Sequence, residues 1–169
     1  MQFFSTLLKG GDDTPGILPS GTAISVNNRT IKILDKIGEG GFATVYSARD
    51  HQRKYAVKHC KCMSQEQVDL IDREIQIMEK IATINHRNIV SYYGTSKKVL
   101  AAKDMMPRTI EYFILMEFMD LSLISLIKQY QQQNKSIPEK KLLSLFLDVV
   151  NGLLVLHSLR PPIAHRDIK

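Results

Sequence analysis

The residue pattern with the clearest chemical use is a glycine-rich turn, GEGGFATV, which begins at Gly38 and ends at Val45. Its three glycines, Gly38, Gly40 and Gly41, lack a Cβ atom, so backbone N–H groups can come close to a polyphosphate and donate hydrogen bonds to it. A β-hairpin often carries such glycines for turn geometry alone, which is the alternative interpretation. Strand-like residues rather than a helix follow the turn, which disfavours a dinucleotide-binding fingerprint, and the lysine and hydroxyl residue of a P-loop are missing.

A lysine and a glutamate sixteen residues apart form the second pattern. Lys58 ends the apolar segment AVK, and Glu74 interrupts an apolar helical stripe between Ile71 and Met78. A carboxylate on a buried helix face is costly unless a cation pairs with it. We therefore expect Lys58 to pair with Glu74. The alternative is a glutamate at the edge of the stripe that extends toward solvent.

The third pattern is the sequence HRDIK, which follows a long predicted helix and two prolines. Asp167 could accept the proton of a hydroxyl group while Lys169 holds a phosphate. The tripeptide HRD also occurs by chance, so its weight depends on the patterns that precede it.

Residues with strand and helix signals predict the elements that carry these patterns. Apolar and β-branched residues predict five strands, at residues 31–37, 43–49, 54–60, 88–93 and 112–116. A polar, basic insert at 94–111 joins the last two strands. Capping residues predict three helices: one opened by Ser64 with Gln67, one from Asp120 through Ile127, and one from Ser136 with Glu139 to about His157.

Length, composition and charge limit the class of protein. The 169 residues suit one domain, and 44% hydrophobic with 24% charged residues is a globular balance. The net charge of +6 comes from 23 basic and 17 acidic residues, but the longest basic runs are pairs, so we expect no nucleic-acid binding. No uninterrupted apolar run is long enough for a transmembrane segment, and we expect none.

The two cysteines, Cys60 and Cys62, stand two residues apart in a predicted strand. At that spacing the side chains point the same way about 6.6 Å apart, which disfavours a disulfide. No second ligand pair at zinc spacing accompanies them, so we predict no metal site in the chain. Free thiols suit a reducing compartment, and we expect a cytoplasmic protein.

Taken in order, the glycine-rich hairpin, the strand lysine, the helix glutamate, the strand ending in MEFM and the HRD sequence resemble a protein kinase over about residues 30–169. Lys169 resembles the lysine of serine/threonine kinases at that spacing. Within the kinases, GEGGFATVY, REIQIM and LHSLRPPIAHRDIK resemble the Numb-associated and cyclin-G-associated group.

This resemblance implies an α+β, protein-kinase-like fold. It has a five-stranded antiparallel N-lobe with one inserted helix, and the first helices of an incomplete helical C-lobe. The expected domain bounds are a flexible lead-in at 1–28, the N-lobe at 29–116, a hinge at 117–120 and the start of the C-lobe at 121–169.

The resemblance also implies a role for each site residue. The turn residues Gly38, Gly40, Gly41 and Phe42 would cover the phosphates of ATP, with Ala43 where many kinases have a third glycine. Val45 and Ala56 would sandwich the adenine, Lys58 would hold the α- and β-phosphates, and Glu74 would hold Lys58. Met116 would guard the back of the pocket, with Glu117 and Met119 offering hinge backbone groups. Asp167 would be the catalytic aspartate, assisted by Lys169.

The implied ligands are ATP, Mg²⁺ and a protein substrate with serine or threonine. The family's Mg²⁺ ligands, an asparagine and an Asp-Phe-Gly sequence, would lie after Lys169. We therefore expect a truncated chain that is inactive, or nearly so, on its own. Subgroup analogy implies association with the endocytic machinery. The alternative function is a non-catalytic kinase-like fragment that binds nucleotide or a partner.

Overall fold

The computed structural model describes residues 17–41, 43–101, 108–166 and 168, and its main element is one antiparallel sheet. The strands are β1 (Ala23–Val26), β2 (Arg29–Glu39), β3 (Ala43–Arg49), β4 (Lys54–Cys62), β5 (Tyr92–Leu100) and β6 (Thr109–Glu117). The helices are α1 (Gln65–Ala82), α2 (Leu123–Gln132) and α3 (Glu139–Ser158). The strand order across the sheet is β1-β2-β3-β4-β6-β5. The predicted α+β class, with one helix inserted after β4, is confirmed.

The described sheet has six strands rather than the predicted five, because β1 falls inside the segment expected to be a flexible lead-in. Asn27 and Asn28 both have positive φ, 49° and 62°, and join β1 to β2 as a two-residue hairpin turn. Ile24 and Val26 alternate with exposed residues and enter the core. Asparagine tolerates this backbone conformation, so the Asn-Asn pair was the hairpin signal that the polar composition concealed.

The last two strands differ from the prediction: β5 begins later and extends further, whereas β6 begins earlier and ends one residue later. β5 begins at Tyr92, four residues after the predicted start at residue 88, and then runs to Leu100. β6 begins at Thr109. Most of the predicted insert at 94–111 is therefore strand, and the polar residues Lys97 and Lys98 pair in register with Tyr112 and Glu111. β5 is the edge strand of the sheet and its second half is exposed, so it needs no apolar alternation, which is why the pattern missed its extension.

Helix α1 begins as predicted. The Ser64 hydroxyl accepts a hydrogen bond from the Gln67 backbone, and the Gln67 side chain accepts one from the Ser64 backbone N–H. Such caps contribute about 1 kcal/mol to helix stability. The predicted stripe of Val68, Ile71 and Met78 is buried against the sheet.

The predicted caps of the other two helices were wrong. Ser122, not Asp120, caps α2 and accepts a hydrogen bond from the Ser125 backbone N–H at 3.1 Å. The Ser136 capping box does not form, because extended Pro138 occupies the N-cap position and α3 begins only at the next residue. Both predictions chose a nearby polar residue as the N-cap. The actual cap position depends on where the chain turns into the helix, which the polar residue alone does not show.

One described helix, α3, is long and apolar enough by length and composition to cross a bilayer, with a mean hydropathy of 1.4. Core helices of water-soluble proteins meet the same criterion, although only 11% of this helix window is buried. The expectation of no transmembrane segment rested on uninterrupted apolar runs, and Asp148 and Asn151 interrupt this one.

The sheet has two apolar faces, and successive residues of each strand point alternately to one face and to the other. The helix face packs against α1 and includes Ala56, Cys60, Cys62, Tyr112, Ile114 and Met116. The outer face curls around its own core, closed by contacts of β1 with β5 and β6, and includes Ile31, Ile33, Tyr46, Ala48, Tyr55, Val57, Phe113 and Leu115. This division determines which side chains can meet a ligand beside α1.

A buried histidine on the outer face predicts a pH dependence of folding. His59 is 2% exposed, stacks on Phe113 at 4.6 Å, and its Nε2 lies 3.3 Å from Glu111 Oε1, with Lys61 on the same carboxylate and Tyr46 across the ring. Burial lowers the pKa of His59 below its ordinary 6.5, although Glu111 acts in the opposite direction. The unfolded chain then binds the proton more readily, so stability falls as pH drops through about 6.5 toward the lowered pKa.

Urea unfolding between about pH 8 and about pH 5 measures this effect. The free energy of unfolding should decline on the acid side, and His59→Gln should make the decline shallower. An equally steep decline in the variant would assign it to other groups.

Candidate active site

Lys58 and Glu74 form an ion pair between the sheet and α1. The Lys58 Nζ donates to Glu74 Oε1 at 2.6 Å, and the two side chains are 14% and 13% exposed. Lys58 lies in the centre of β4, paired with Val45 of β3 and Ile114 of β6. The predicted contact is therefore confirmed, and the alternative of a solvent-directed glutamate is wrong. A lysine held this way keeps its ammonium group at a fixed place beside the sheet.

Three of the predicted adenine-contacting residues share the helix face with that pair. Ala56 and Met116 are opposite each other in the β4–β6 register, and Val45 packs against the same cluster from β3. Ala56 is 8% exposed and Met116 4%. These three side chains form an apolar, nearly buried patch on the face of the sheet that also carries the Lys58 ammonium group. Apolar groups next to a cation suit a flat heterocycle that carries phosphates.

The glycine-rich turn extends β2 and β3 beyond this surface. Gly38 pairs with Val45, and the Gly40 N–H donates to the Ala43 carbonyl at 2.7 Å, so that N–H is already used. A Cβ atom built on Gly41 would have no heavy atom within 4 Å. The protein itself therefore does not require glycine at Gly41 for space, because a Cβ atom there would face open space. The predicted contact residue Phe42 lies outside the described residues.

The predicted hinge follows directly from β6, which ends at Glu117. The Glu117 N–H donates to the Ser91 carbonyl at 2.9 Å, and its carboxylate accepts two hydrogen bonds from Ser91, one from the N–H and one from the hydroxyl, both at 3.1 Å. These three hydrogen bonds anchor the end of β6 to the segment before β5. Met119 is 58% exposed, so the segment that follows β6 lies at the surface.

An apolar cavity of about 280 Å³ lies behind the ion pair, between α1 and α3. Its lining includes Glu74, Met78, Tyr92, Gly152 and His165. Val45, Ala56 and Met116 are not part of it, so the cavity is distinct from the predicted adenine surface. It does bring the HRD segment, through His165, to the same glutamate that holds Lys58.

The backbone conformation of Arg166, in the HRD segment, is unusual. Arg166 has φ 63°, a left-handed conformation that is rare for a residue with a side chain and concentrates at functional sites. The predicted catalytic residues Asp167 and Lys169 lie outside the described residues, so their roles stay predictions.

The cysteines behave as the sequence predicted. Both are free and buried in the helix face, and burial raises the pKa of the Cys60 thiol to about 12. Cys60 is thus an inert core residue rather than a nucleophile. Among the described residues no group of three His, Cys, Asp or Glu side chains is arranged to hold a metal ion.

Two contacts near the site had no sequence signal. Ser91 looked like an ordinary strand residue, and its bonds to Glu117 depend on the path of the chain before β5. Asp72 of α1 accepts a hydrogen bond from Tyr112 at 2.7 Å, although helix periodicity alone would leave it at the solvent edge.

Comparison with known proteins gives the family. The protein kinase domain family matches residues 31–169. The chain is 34% identical over 160 residues to a probable serine/threonine-protein kinase of Dictyostelium discoideum, covering 89% of this chain and 41% of the relative. A second Dictyostelium probable serine/threonine-protein kinase is 31% identical over 150 residues, covering 88% and 18%. An actin-regulating kinase of Saccharomyces cerevisiae is 28% identical over 156 residues, covering 88% and 18%.

The chain thus spans less than half the length of these curated relatives. The family match covers the turn, the strand lysine, the helix glutamate and the HRD segment in one continuous stretch that includes five of the six strands and all three helices. This chain belongs to the protein kinase domain family.

Proposed function

We propose that the protein is an ATP-dependent serine/threonine kinase whose nucleotide binds on the helix face of the sheet, beneath the glycine-rich turn. The observation that carries this proposal is the 2.6 Å pair of Lys58 with Glu74, on the same face as Val45, Ala56 and Met116. The family generally uses ATP and Mg²⁺, and relatives named as serine/threonine kinases support the acceptor class.

The residues of this chain would divide the work of binding. Val45 and Ala56 would exclude water from the two sides of the adenine, with Met116 behind it. Lys58, held by Glu74, would place a fixed positive charge on the α- and β-phosphates, and the backbone beside Gly38 and Gly41 would donate to the phosphate oxygens. The Glu117 N–H is occupied by Ser91, so the hinge groups proposed for the adenine edge are the Glu117 carbonyl and the Met119 backbone.

For the transfer itself, ATP would supply the phosphoryl group. We propose that Asp167 accepts the proton of the substrate hydroxyl and that Lys169 stabilises the transferred charge. The asparagine and Asp-Phe-Gly sequence that hold Mg²⁺ in the family are not among the 169 residues. We propose that the 169 residues bind nucleotide by themselves, and a radiometric kinase assay on the chain measures whether they also transfer phosphate.

Substrate, partners and location are proposed at a coarser level. The segments GEGGFATVY and REIQIM support membership of the Numb-associated and cyclin-G-associated group, and with it association with the endocytic machinery. The proposed substrate class is a protein that contains serine or threonine. The similarity to an actin-regulating kinase is compatible with that process. Two buried free thiols support a reducing, cytoplasmic location.

Gly41→Ala tests the glycine-rich turn without disturbing the fold. The added methyl meets no protein atom within 4 Å, so the melting temperature without ligand should stay unchanged. The same methyl occupies space that phosphate oxygens would need, and losing one backbone contact should weaken ATP binding about fivefold. Thermal stabilisation by ATP at several concentrations measures both quantities.

Gly94→Ala is the matched control, since Gly94 has φ 139° and an added Cβ would overlap the Asn27 side chain. It should lower the melting temperature and leave ATP affinity unchanged. If Gly41→Ala bound ATP as tightly as the wild type, the turn would not contact phosphate.

A further inference from the structure

Helix α1 is attached to the sheet by a second polar anchor, made by Asp72, Tyr112 and Lys97. The Tyr112 hydroxyl donates to Asp72 Oδ1 at 2.7 Å, and Lys97 Nζ lies 3.5 Å from Asp72 Oδ2. Lys97 also lies 4.8 Å above the Tyr112 ring, which it faces across the β5–β6 ladder. Helix, β5 and β6 thus meet at one carboxylate.

This anchor and the Lys58–Glu74 pair lie on opposite edges of the apolar stripe of α1. Each helical residue turns the side chain by about 100°, so relative to Ile71 the direction of Asp72 is about 100° to one side and that of Glu74 about 60° to the other. The buried residues Ile71, Val68 and Met78 fall between them. One anchor therefore resists rotation of the helix in one sense, and the other resists it in the opposite sense.

An apolar stripe alone fixes rotation poorly, because hydrophobic contacts are not directional. One short hydrogen bond on each side of the stripe fixes the rotation angle of the helix much more closely. The Tyr112 side chain is 1% exposed, and burial raises the pKa of Tyr112, so its hydroxyl keeps its proton and stays a donor to Asp72.

We propose that Tyr112 and Asp72, with Lys97, are positioning residues that set the rotation of α1 and so keep Glu74 on the lysine that contacts nucleotide. Without this anchor the Asp72 edge of the helix can lift from the sheet, and that rotation displaces Glu74 from its 2.6 Å contact with Lys58. The consequence for ATP binding rests on the proposed function; the consequence for the Lys58–Glu74 pair does not.

Tyr112→Phe removes the hydroxyl and keeps the buried ring, and Tyr55→Phe is its matched control. Tyr55 is equally buried on β4, and its hydroxyl also donates to an aspartate, Asp50, at 2.7 Å, but on the outer face and within the β3–β4 turn. Both substitutions delete one tyrosine–aspartate hydrogen bond from the sheet. Only Tyr112→Phe removes a hydrogen bond that holds α1 to the sheet.

The first readout is the acylation rate of Lys58 by an amine-reactive ester, followed by peptide mass spectrometry, with no nucleotide present. We expect Tyr112→Phe to raise this rate about threefold or more, since a charge-assisted hydrogen bond of this kind is worth a factor of that order or larger. Tyr55→Phe should leave it unchanged, as should Lys61 labelling in every variant. Asp72→Ala should act like Tyr112→Phe; Asp72 is 43% exposed, so its replacement leaves the core intact.

The second readout is ATP affinity in a double-mutant cycle. Tyr112→Phe should weaken binding about three- to tenfold in the wild type, and should have no further effect in a Glu74→Gln background, because the glutamate it positions is gone. A purely structural role would lower affinity by the same factor in both backgrounds.

Unchanged Lys58 acylation in both Tyr112→Phe and Asp72→Ala, or additive effects in the cycle, would overturn the proposal. If the wild type itself failed to bind ATP, the proposed function would fall, and the acylation result would still decide the positioning role.

Discussion

Replacing Lys58 with methionine is expected to abolish detectable stabilisation by ATP. Methionine keeps an unbranched side chain one atom shorter than that of lysine and removes its charge and its hydrogen bonds. The charge-assisted contacts to two phosphates would be lost together, and we expect an affinity loss of at least about 100-fold. Thermal unfolding with and without ATP, at several ligand concentrations, measures the change.

The same substitution should also lower stability without ligand. Glu74 is left near the core with no cation, and breaking a fully buried pair costs about 3–5 kcal/mol. Both side chains keep some contact with water, 14% and 13% exposed, so we expect about half of that penalty. A second change, Glu74→Leu, should recover most of the lost stability and none of the ATP binding, because it removes the unpaired charge without restoring the ammonium group.

Lys61→Met is the control for Lys58→Met. Lys61 lies on the same strand, is 37% exposed and has Glu111 3.6 Å away, so it forms a surface pair worth less than about 1 kcal/mol. It should bind ATP like the wild type. Equal loss of ATP binding in both variants would mean that general positive charge, and not the Lys58 position, attracts the nucleotide.

Gly152→Ala is expected to destabilise the protein despite improving helix propensity. Alanine in a helix interior is normally better than glycine by about 1 kcal/mol. Here the added Cβ would lie 2.7 Å from the Asn88 carbonyl oxygen, a backbone atom that cannot rotate away. Overpacking of this kind costs about 1–3 kcal/mol. After the propensity gain of about 1 kcal/mol, we expect a net loss of about 1 kcal/mol in the free energy of unfolding.

Ser144→Ala provides the contrast, since Ser144 is exposed on the same helix. It should raise stability by a few tenths of a kcal/mol through propensity alone. Urea denaturation of both variants measures the difference. A stabilised Gly152→Ala protein would show that α3 is not closely packed against the segment before β5.

The start of α1 and the position of Glu74 were predicted correctly from the sequence. The Ser64–Gln67 box located the start of α1, and the apolar stripe placed Glu74 where a cation had to meet it. Both signals depend on residues within a few positions of each other, where backbone geometry is fixed by spacing. The contact with Lys58 was predicted because a cation lowers the cost of burying a carboxylate, and the structure excludes the alternative of a solvent-directed glutamate.

The features that sequence reasoning missed depend on the path of the chain. The hairpin at Asn27 and Asn28 was hidden in polar composition, and Pro138 displaced the helix start that Ser136 suggested. The Tyr112–Asp72 anchor needs β6 to lie beside α1, which no local pattern specifies. Asp167 and Lys169 stay predictions, as does Phe42, because they lie outside the described residues.

The central claim is that ATP binds the helix face of the sheet, and methyl NMR on titration with ATP tests it most directly. Each central strand offers one reporter on each face: Val45 and Ala48 on β3, Ala56 and Val57 on β4, and Met116 and Leu115 on β6. We predict saturable shifts at the helix-face reporters Val45, Ala56 and Met116. The outer-face reporters Ala48, Val57 and Leu115 should show only small shifts. Shifts concentrated at Ala48, Val57 and Leu115, or no saturable shift at any of the six, would contradict the claim.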